Sequence, residues 1–291
     1  MTRIAIQSAA STLGALCEAG VQRLRAAALS DASPQLDAEL LLSEALGVPR
    51  TRIRSHPEDP VDPERAGRFS GLIERRAAGE PVAYLLGRRG FWTLELAVSP
   101  AVLVPRPETE LLIERALQLQ SAAQGRVADL GTGSGAIAIA LATERPLWQI
   151  VATDLSPEAL AVAEANAAML GRGRIAFVLG SWCEALPPGP FDLLISNPPY
   201  VAADDPALEA LRHEPRLALT PGIDALASLR AIIHAAPAHL APGGWLLLEH
   251  GATQGPAVAG ELAERGFVTV RTHRDLAGRV RMTEGQWPTN R

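Results

Sequence analysis

Apolar and polar positions follow different rhythms along the chain. Up to about residue 85 the spacing is helical. Ser11 opens a stretch in which Leu13, Leu16 and Cys17 share one face. Ser33-Pro34 sets a capping residue before a proline at the first helical position, and Leu36, Leu40, Leu41 and Ala45 follow until Gly47 stops the run. Asp62-Pro63 repeats the start signal, with Phe69, Leu72, Ile73 and Arg76 continuing toward Gly79. No strand alternation and no chemical motif occurs here, so residues 1–85 are expected to form a small helical domain.

Between Gly87 and Val104 the period changes. Phe91, Trp92, Leu94, Leu96 and Val98 include an alternating set, Ser99-Pro100 makes a turn, and Val102-Leu103-Val104 follows. This predicts a β-hairpin linker over residues 86–106. Pro105 and Pro107 then bound a helix starting near Glu108, whose acidic first turn suits the helix dipole. From Gly125 strands alternate with helices. Strands are predicted at Val127–Leu130, Gln149–Asp154, Arg174–Leu179, Phe191–Ser196, Gly244–Glu249 and Phe267–Arg271, with helices after Gly135, Ser156, Asp224 and Thr253. Such βα units build a parallel sheet covered on both faces. Arg279–Thr283 follows Gly278 too closely for another helix and should return antiparallel to Phe267–Arg271. The expected fold over residues 107–291 is α/β, a Rossmann-like doubly wound seven-stranded sheet with its last strand antiparallel.

Composition narrows the function. There are 27 basic and 32 acidic residues, a net charge of −5. Little global field remains to attract nucleic-acid phosphates, so stable nucleic-acid binding is not expected. The 47% hydrophobic and 20% charged fractions are those of a globular protein. Cys17 and Cys183 form neither a disulfide framework nor a metal cluster, and six scattered histidines show no metal spacing. Met1-Thr2-Arg3-Ile4 is not followed by an apolar signal-type stretch, and no apolar run approaches the roughly 20 residues that span a bilayer. A cytoplasmic protein without metal or membrane attachment is expected.

Two motifs carry chemistry. The first is Val127-Ala128-Asp129-Leu130-Gly131-Thr132-Gly133-Ser134-Gly135, a strand running into a glycine loop and then a helix. Glycines permit positive φ and close approach of a ligand to the backbone. Asp154 ends the next strand, 19 residues after Gly135, where a carboxylate can accept from both hydroxyls of a ribose. A dinucleotide is the alternative ligand, but the spacing is G-x-G-x-G rather than G-x-G-x-x-G. With Asp129 upstream, the loop resembles motif I of class I S-adenosylmethionine methyltransferases. The resemblance places the loop along the methionine portion and Asp154 on the ribose.

The second motif is Asn197-Pro198-Pro199-Tyr200, directly after the buried-strand pattern Phe191–Ser196 and about 60 residues beyond the glycine loop. Ligands of doubly wound sheets bind at the carboxyl ends of the strands. An amide or exocyclic amine is a weak, planar nucleophile. The Asn197 side-chain oxygen and the Pro198 carbonyl can each accept one of its N–H groups and so aim its lone pair. Proline stiffens the turn, and Tyr200 can stack on a flat group. Positioning of this kind supplies several kcal/mol of a barrier without a strong base.

These motifs resemble amino-methyltransferases acting on a planar nitrogen. Tyr84-Leu85-Leu86-Gly87, Phe91-Trp92, Leu103-Val104-Pro105-Arg106-Pro107-Glu108-Thr109-Glu110, Glu214-Pro215-Arg216-Leu217-Ala218-Leu219, Leu248-Glu249-His250-Gly251 and Asp275-Leu276-Ala277-Gly278-Arg279 are similar to the HemK/PrmC family, over nearly the whole chain. That family methylates the glutamine of the Gly-Gly-Gln motif in peptide chain release factors, its protein partners, and converts S-adenosylmethionine to S-adenosylhomocysteine. The resemblance implies that Asn197, Pro198, Pro199 and Tyr200 hold the substrate amide. It puts Gly131, Thr132, Gly133, Gly135, Asp154, Asn197 and Trp182 on the cofactor, with Arg106 and Thr109 near its methionine end. Ser181 stands where the family often has an aspartate facing the adenine, which leaves its role open. Residues 1–85 carry no chemistry of their own, so a domain of that size is expected to supply contact with the protein substrate.

Alternatives are a ribosomal-protein glutamine methyltransferase, which shares Asn-Pro-Pro-Tyr, and an adenine-specific nucleic-acid methyltransferase, which would be expected to carry a basic face. The stretch Pro105–Glu110 favours the release-factor group. His250 reads as a strand-end residue, and Arg75-Arg76 and Arg88-Arg89 as solvated charges.

Overall fold

The computed structural model describes residues 12–29, 32–171 and 174–289. The chain divides into two compact units, Met1–Gly87 and Arg88–Arg291.

The first unit holds helices α1 (Leu13–Ala27), α2 (Pro34–Leu46), α3 (Arg50–Ser55), α4 (Pro63–Ala77) and α5 (Val82–Leu86). Ser11 lies outside the described residues. Thr12 caps α1 by accepting from the Ala15 N–H at 3.3 Å. Asp62 caps α4 through the amides of Glu64 and Arg65, whereas Ser33 precedes α2 without a side-chain cap. Leu16, Val21 and Leu24 meet Leu41, Leu42, Phe69 and Ile73 in one core. At Gly20 a Cβ would stand 2.7 Å from the Phe69 ring, so the close approach of α1 to α4 needs hydrogen there.

Two charged groups change the expected pattern. Arg76 is only 2% exposed and donates to Asp37 at 2.9 Å, so it is a core residue and not a solvated charge. Turning Asp37 inward to meet it rotates the preceding Leu36 out to solvent. Glu39, also 2% exposed, receives Arg50 and Arg54, both at 2.7 Å. The Arg54 hydrogen bond is the main cause that pulls its carboxyl down to about 2.

The second unit opens with an antiparallel hairpin, β1 (Arg88–Phe91) and β2 (Leu94–Ala97). Val102–Val104 adds no strand. Its last amide is taken by a side chain, Glu214, at 3.0 Å instead of by a neighbouring strand. A 3₁₀ turn at Pro107–Thr109 leads into α6 (Glu110–Leu119). Then follow β3 (Arg126–Leu130), α7 (Ala136–Glu144), β4 (Gln149–Asp154), α8 (Pro157–Met169), β5 (Ile175–Leu179) and β6 (Phe191–Ser196). Two one-turn helices, α9 (Ala207–Ala210) and α10 (Arg216–Leu219), precede α11 (Ala227–Ala235), β7 (Leu240–Glu249), α12 (Gly255–Arg265), β8 (Val268–Arg274) and β9 (Val280–Gln286).

The seven strands lie in the order β5-β4-β3-β6-β7-β9-β8, with β9 antiparallel to both neighbours. Two apolar clusters, one around Ile139, Leu141 and Leu193 and the other around Leu194, Leu229 and Leu246, supply most of the buried apolar residues of this unit. From β3 the chain winds outward through β4 and β5, then returns to β6 and winds the other way through β7. The direction reverses between β3 and β6, and a crevice opens at such a point, at the carboxyl ends of the strands.

Glu39 provides a measurable check on the first unit. Glu39→Gln should lower stability by about 1–3 kcal/mol at pH 7, because charge-assisted bonds to two arginines are lost while both arginines return to water. The folded pKa lies below the ordinary value, so this contribution is present above about pH 4.5 and is lost as pH falls toward 2. Urea unfolding at pH 7 and pH 3 should show wild type and variant converging at the lower pH, and an equal gap at both would refute the assignment.

Candidate active site

The crevice leads into a cavity of about 590 Å³. Arg106, Thr109, Gly131, Thr132, Gly133, Asp154, Ser181, Trp182, Asn197 and Pro199 all line it. Three residues singled out in the sequence are not among the lining residues. Gly135 starts α7 at φ 83°, and a Cβ there would meet Ile139 at 2.8 Å and Ala163 at 3.2 Å, so its place is in the α7–α8 packing. Pro198 is buried. The Tyr200 hydroxyl pairs with Glu249 at 3.4 Å, and its carbonyl accepts from Gln254 at 3.0 Å.

The glycine loop is hooked onto the neighbouring strand. The amides of Gly131 and Thr132 both donate to the Thr153 carbonyl at 2.9 Å. A Cβ on Gly131 would be 2.8 Å from the Trp182 ring, so the loop and the aromatic are in direct contact. Gly133, at φ 56°, faces open space. Its amide donates to one Asp154 oxygen at 2.8 Å, and the Ser156 amide donates to the other at 2.9 Å. Asp154 thus ties the loop to the start of α8. A carboxylate has about four acceptor positions, so each oxygen keeps capacity for one more donor.

On the far side of the switch point, the Asn197 amide nitrogen donates to the Thr109 hydroxyl at 3.2 Å. That leaves its carbonyl oxygen to serve the cavity. Glu214 accepts from the Val104 amide and from Arg106, which fixes the segment carrying Arg106 beside the stretch before α10. Asn166 is wholly buried. Its oxygen accepts from the Ala97 amide at 2.8 Å, and its nitrogen donates to the carbonyls of Ala97 at 3.0 Å and Ser134 at 2.9 Å. One side chain joins the hairpin to the glycine loop.

Comparison with known proteins agrees with this layout. Residues 15–87 match the PrmC N-terminal domain family and residues 107–255 the methyltransferase small domain family. The release factor glutamine methyltransferase of Xylella fastidiosa (strain Temecula1) is 51% identical over 90% of this chain and 96% of its own length. The chain belongs to the release factor glutamine methyltransferase family. The Pseudomonas aeruginosa member is 49% identical over 88% of this chain and 93% of its own. A methyltransferase from Pyrococcus furiosus shares the fold, with a TM-score of 0.50 at 19% identity, covering 76% of this chain and all of that one. The chain is thus a methyltransferase, an enzyme with a Rossmann-like α/β fold. Among the described residues no cluster of three His, Cys, Asp or Glu side chains could hold a metal, and no helix is long and apolar enough to cross a membrane.

In this family member two carboxyls near the crevice were not among the candidate site residues. Asp129 is wholly buried under the glycine loop. Its Oδ2 accepts from the Thr132 hydroxyl at 2.6 Å and the Ala138 amide at 3.2 Å, while Oδ1 has no partner among the described residues. Burial pushes this carboxyl up to about 7. Glu249 ends β7, also buried, and burial raises it to about 7 as well. The sequence shows Asp129 only as an acid upstream of the glycines and Glu249 only as part of a matching stretch; neither has a local signal of burial. His250 is buried just beyond β7, with Nε2 paired to the Thr283 hydroxyl at 2.8 Å, as a strand-end residue.

Because the folded-state pKa of Asp129 lies above its unfolded value, its contribution is fully present below about pH 4 and lost as pH rises through about 7. Asp129→Asn keeps an acceptor for Thr132 and Ala138 and cannot ionise. Between pH 5 and 8 the urea midpoint of the variant should therefore fall less than that of the wild type, while Glu249 contributes equally to both. Parallel curves would show that Asp129 is ionised throughout.

Proposed function

We propose that the enzyme transfers the methyl group of S-adenosylmethionine to the side-chain amide nitrogen of the glutamine in the Gly-Gly-Gln motif of peptide chain release factors. The observation that carries this reading is the Asn197 amide, fixed by Thr109 with its oxygen left to the cavity, at the strand end beside the glycine loop. An acceptor in that position suits a substrate nitrogen that carries two N–H groups. The names of the relatives at about half identity support the same substrate.

The cavity fits the cofactor. Gly133 offers open space, Asp154 keeps acceptor capacity for two ribose hydroxyls, and Trp182 with Ser181 supplies a flat, partly polar edge for a purine. Bound there, S-adenosylmethionine supplies an electrophilic methyl on a cationic sulfur and leaves as neutral S-adenosylhomocysteine. The chain's own residues do the positioning. The Asn197 oxygen and the Pro198 carbonyl each accept one N–H of the substrate amide, which turns the nitrogen lone pair toward the methyl. The methylated nitrogen then carries one proton too many, and that proton is released to solvent water. Pro199 lines the pocket, Tyr200 braces the strand end from outside the cavity lining, and Arg106, held by Glu214, stands near the methionine end with Thr109. Charge is dispersed during transfer, so exclusion of water by the apolar lining favours it.

Residues 1–85 supply contact with the protein substrate in this reading, with 86–106 as linker and 107–291 as the catalytic domain. Binding far from the reacting amide can be used to orient it, so a free glutamine peptide should be a much poorer substrate than the intact factor. The reading also places the enzyme in the cytoplasm, where release factors act.

Labelled methyl transfer to purified release factor, to ribosomal protein and to adenine-containing DNA tests the assignment, and transfer to either of the last two alone would reject it. Asn197→Ala should lower single-turnover transfer by on the order of 100-fold or more, through misorientation, and leave cofactor affinity nearly intact.

Asp154→Ala should do the reverse. It removes about 1.5–3 kcal/mol per charge-assisted hydrogen bond to the ribose and releases the Gly133 amide besides. Calorimetric titration with S-adenosylmethionine should show weakened binding, and unchanged affinity in a folded variant would move the ribose elsewhere.

A further inference from the structure

The start of α7 is decided by two side chains from outside the helix. In an α-helix the amide of residue i donates to the carbonyl of residue i−4. The Ile139 amide does so, to the Gly135 carbonyl at 2.8 Å. One residue earlier, both halves of the next bond are taken by other groups. The Ala138 amide donates to the buried Asp129 carboxyl at 3.2 Å. The Ser134 carbonyl, which that amide would serve if the helix began sooner, accepts from the Asn166 side-chain nitrogen at 2.9 Å. Asp129 and Asn166 therefore hold apart the two ends of a bond that a longer helix would close. The glycine loop begins at that break, with Gly135 at φ 83° and Gly133 at φ 56°.

Asn166 lies on α8 and is wholly buried. A primary amide is nearly symmetric in shape, and its partners decide which end faces where. Here one amide and two carbonyls surround it. Its oxygen accepts from the Ala97 amide, and its nitrogen donates to the carbonyls of Ala97 and Ser134. The reverse orientation would set oxygen against two carbonyl oxygens. A donor is thus held facing Ser134. Without that donor the Ser134 carbonyl would be left buried and unpaired, at a cost that favours recapture of the Ala138 amide. Helix α7 would then grow back into the glycine loop, whose residues Gly131–Ser134 line the cavity. We propose that Asn166 is a positioning residue for the cofactor, which keeps the Ser134 carbonyl out of α7 and the glycine loop open to S-adenosylmethionine. This rests on the reading of that loop as the cofactor site, and Asn166 itself does not line the cavity.

The test uses the full chain. Asn166→Asp keeps the shape and the acceptor for Ala97 but offers no donor to Ser134; Asn166→Ala removes all three bonds. Calorimetric titration should show S-adenosylmethionine bound on the order of 10-fold more weakly by both variants. At saturating cofactor, kcat should change by no more than about 3-fold. Leu262→Ala is the control for lost stability. Leu262 is wholly buried in the cluster around Leu194 and Leu246 and does not line the cavity, so this variant should unfold at lower urea and bind the cofactor as the wild type does. Asp129→Ala/Asn166→Ala frees the Ala138 amide and the Ser134 carbonyl to pair with each other. Its urea midpoint should therefore fall by less than the sum of the two single losses. Unchanged cofactor affinity in folded Asn166→Asp or Asn166→Ala overturns the proposal. So does a Leu262→Ala that weakens binding as much as they do, or a double variant whose losses add in full. Absence of S-adenosylmethionine binding by the wild type would instead reject the cofactor reading, and the midpoint of the double variant would still decide whether Asn166 holds the start of α7.

Discussion

Strands β3 and β6 are hydrogen-bonded neighbours although about 60 residues separate them in sequence, and the site depends on that pairing. Their register sets Leu130 opposite Ser196 at the last rung. The Ser196 hydroxyl donates to the Leu130 carbonyl at 2.6 Å, which closes the ladder where both strands end. Gly131 and Asn197 therefore leave the sheet side by side. A slip of one residue would turn the alternate side chains of β6 to the other face and carry Asn197 away from the glycine loop. The parallel core strands, buried on both faces, hold this register through apolar packing more than through any group in the cavity.

Around that fixed point, carboxyls do different work according to what surrounds them. Asp154 is bound by two backbone amides and links loop to helix. Glu214 accepts from a backbone amide and a guanidinium and holds the 104–106 segment. Asp129 and Glu249 lie deeper, with an oxygen unpaired on each and burial shifting both toward neutrality. The partners decide which segment each carboxyl holds in place.

The parts legible in the sequence were those with local signals. Gln149–Asp154 and Phe191–Ser196 coincide with β4 and β6, because each is a buried apolar run bounded by polar or proline residues. The antiparallel return of β9 followed from a loop too short for a helix. The short α3 and α5 left no trace, since one or two turns carry no measurable periodicity. Arg76 and Leu36 exchanged their expected environments because the partner of Arg76 lies 39 residues away. Val102–Val104 looks like a strand by composition, but its amide bonds a glutamate 110 residues on. In the site, Asn197, Asp154 and the glycines stand in recognisable spacings. Glu214, Glu249 and Asn166 do not, because their roles exist only once distant segments meet.

Asn166 offers to Ala97 one acceptor and one donor, as a peptide group of a third strand would. A two-stranded ribbon is marginal by itself, and its open edge invites pairing with other chains. Here a side-chain amide stands in for the missing backbone at the end of β2. The ribbon's border is sealed at that rung from within its own molecule, and the same amide extends its third bond to Ser134. A single planar group thus closes the outer rung of the ribbon and holds the glycine loop.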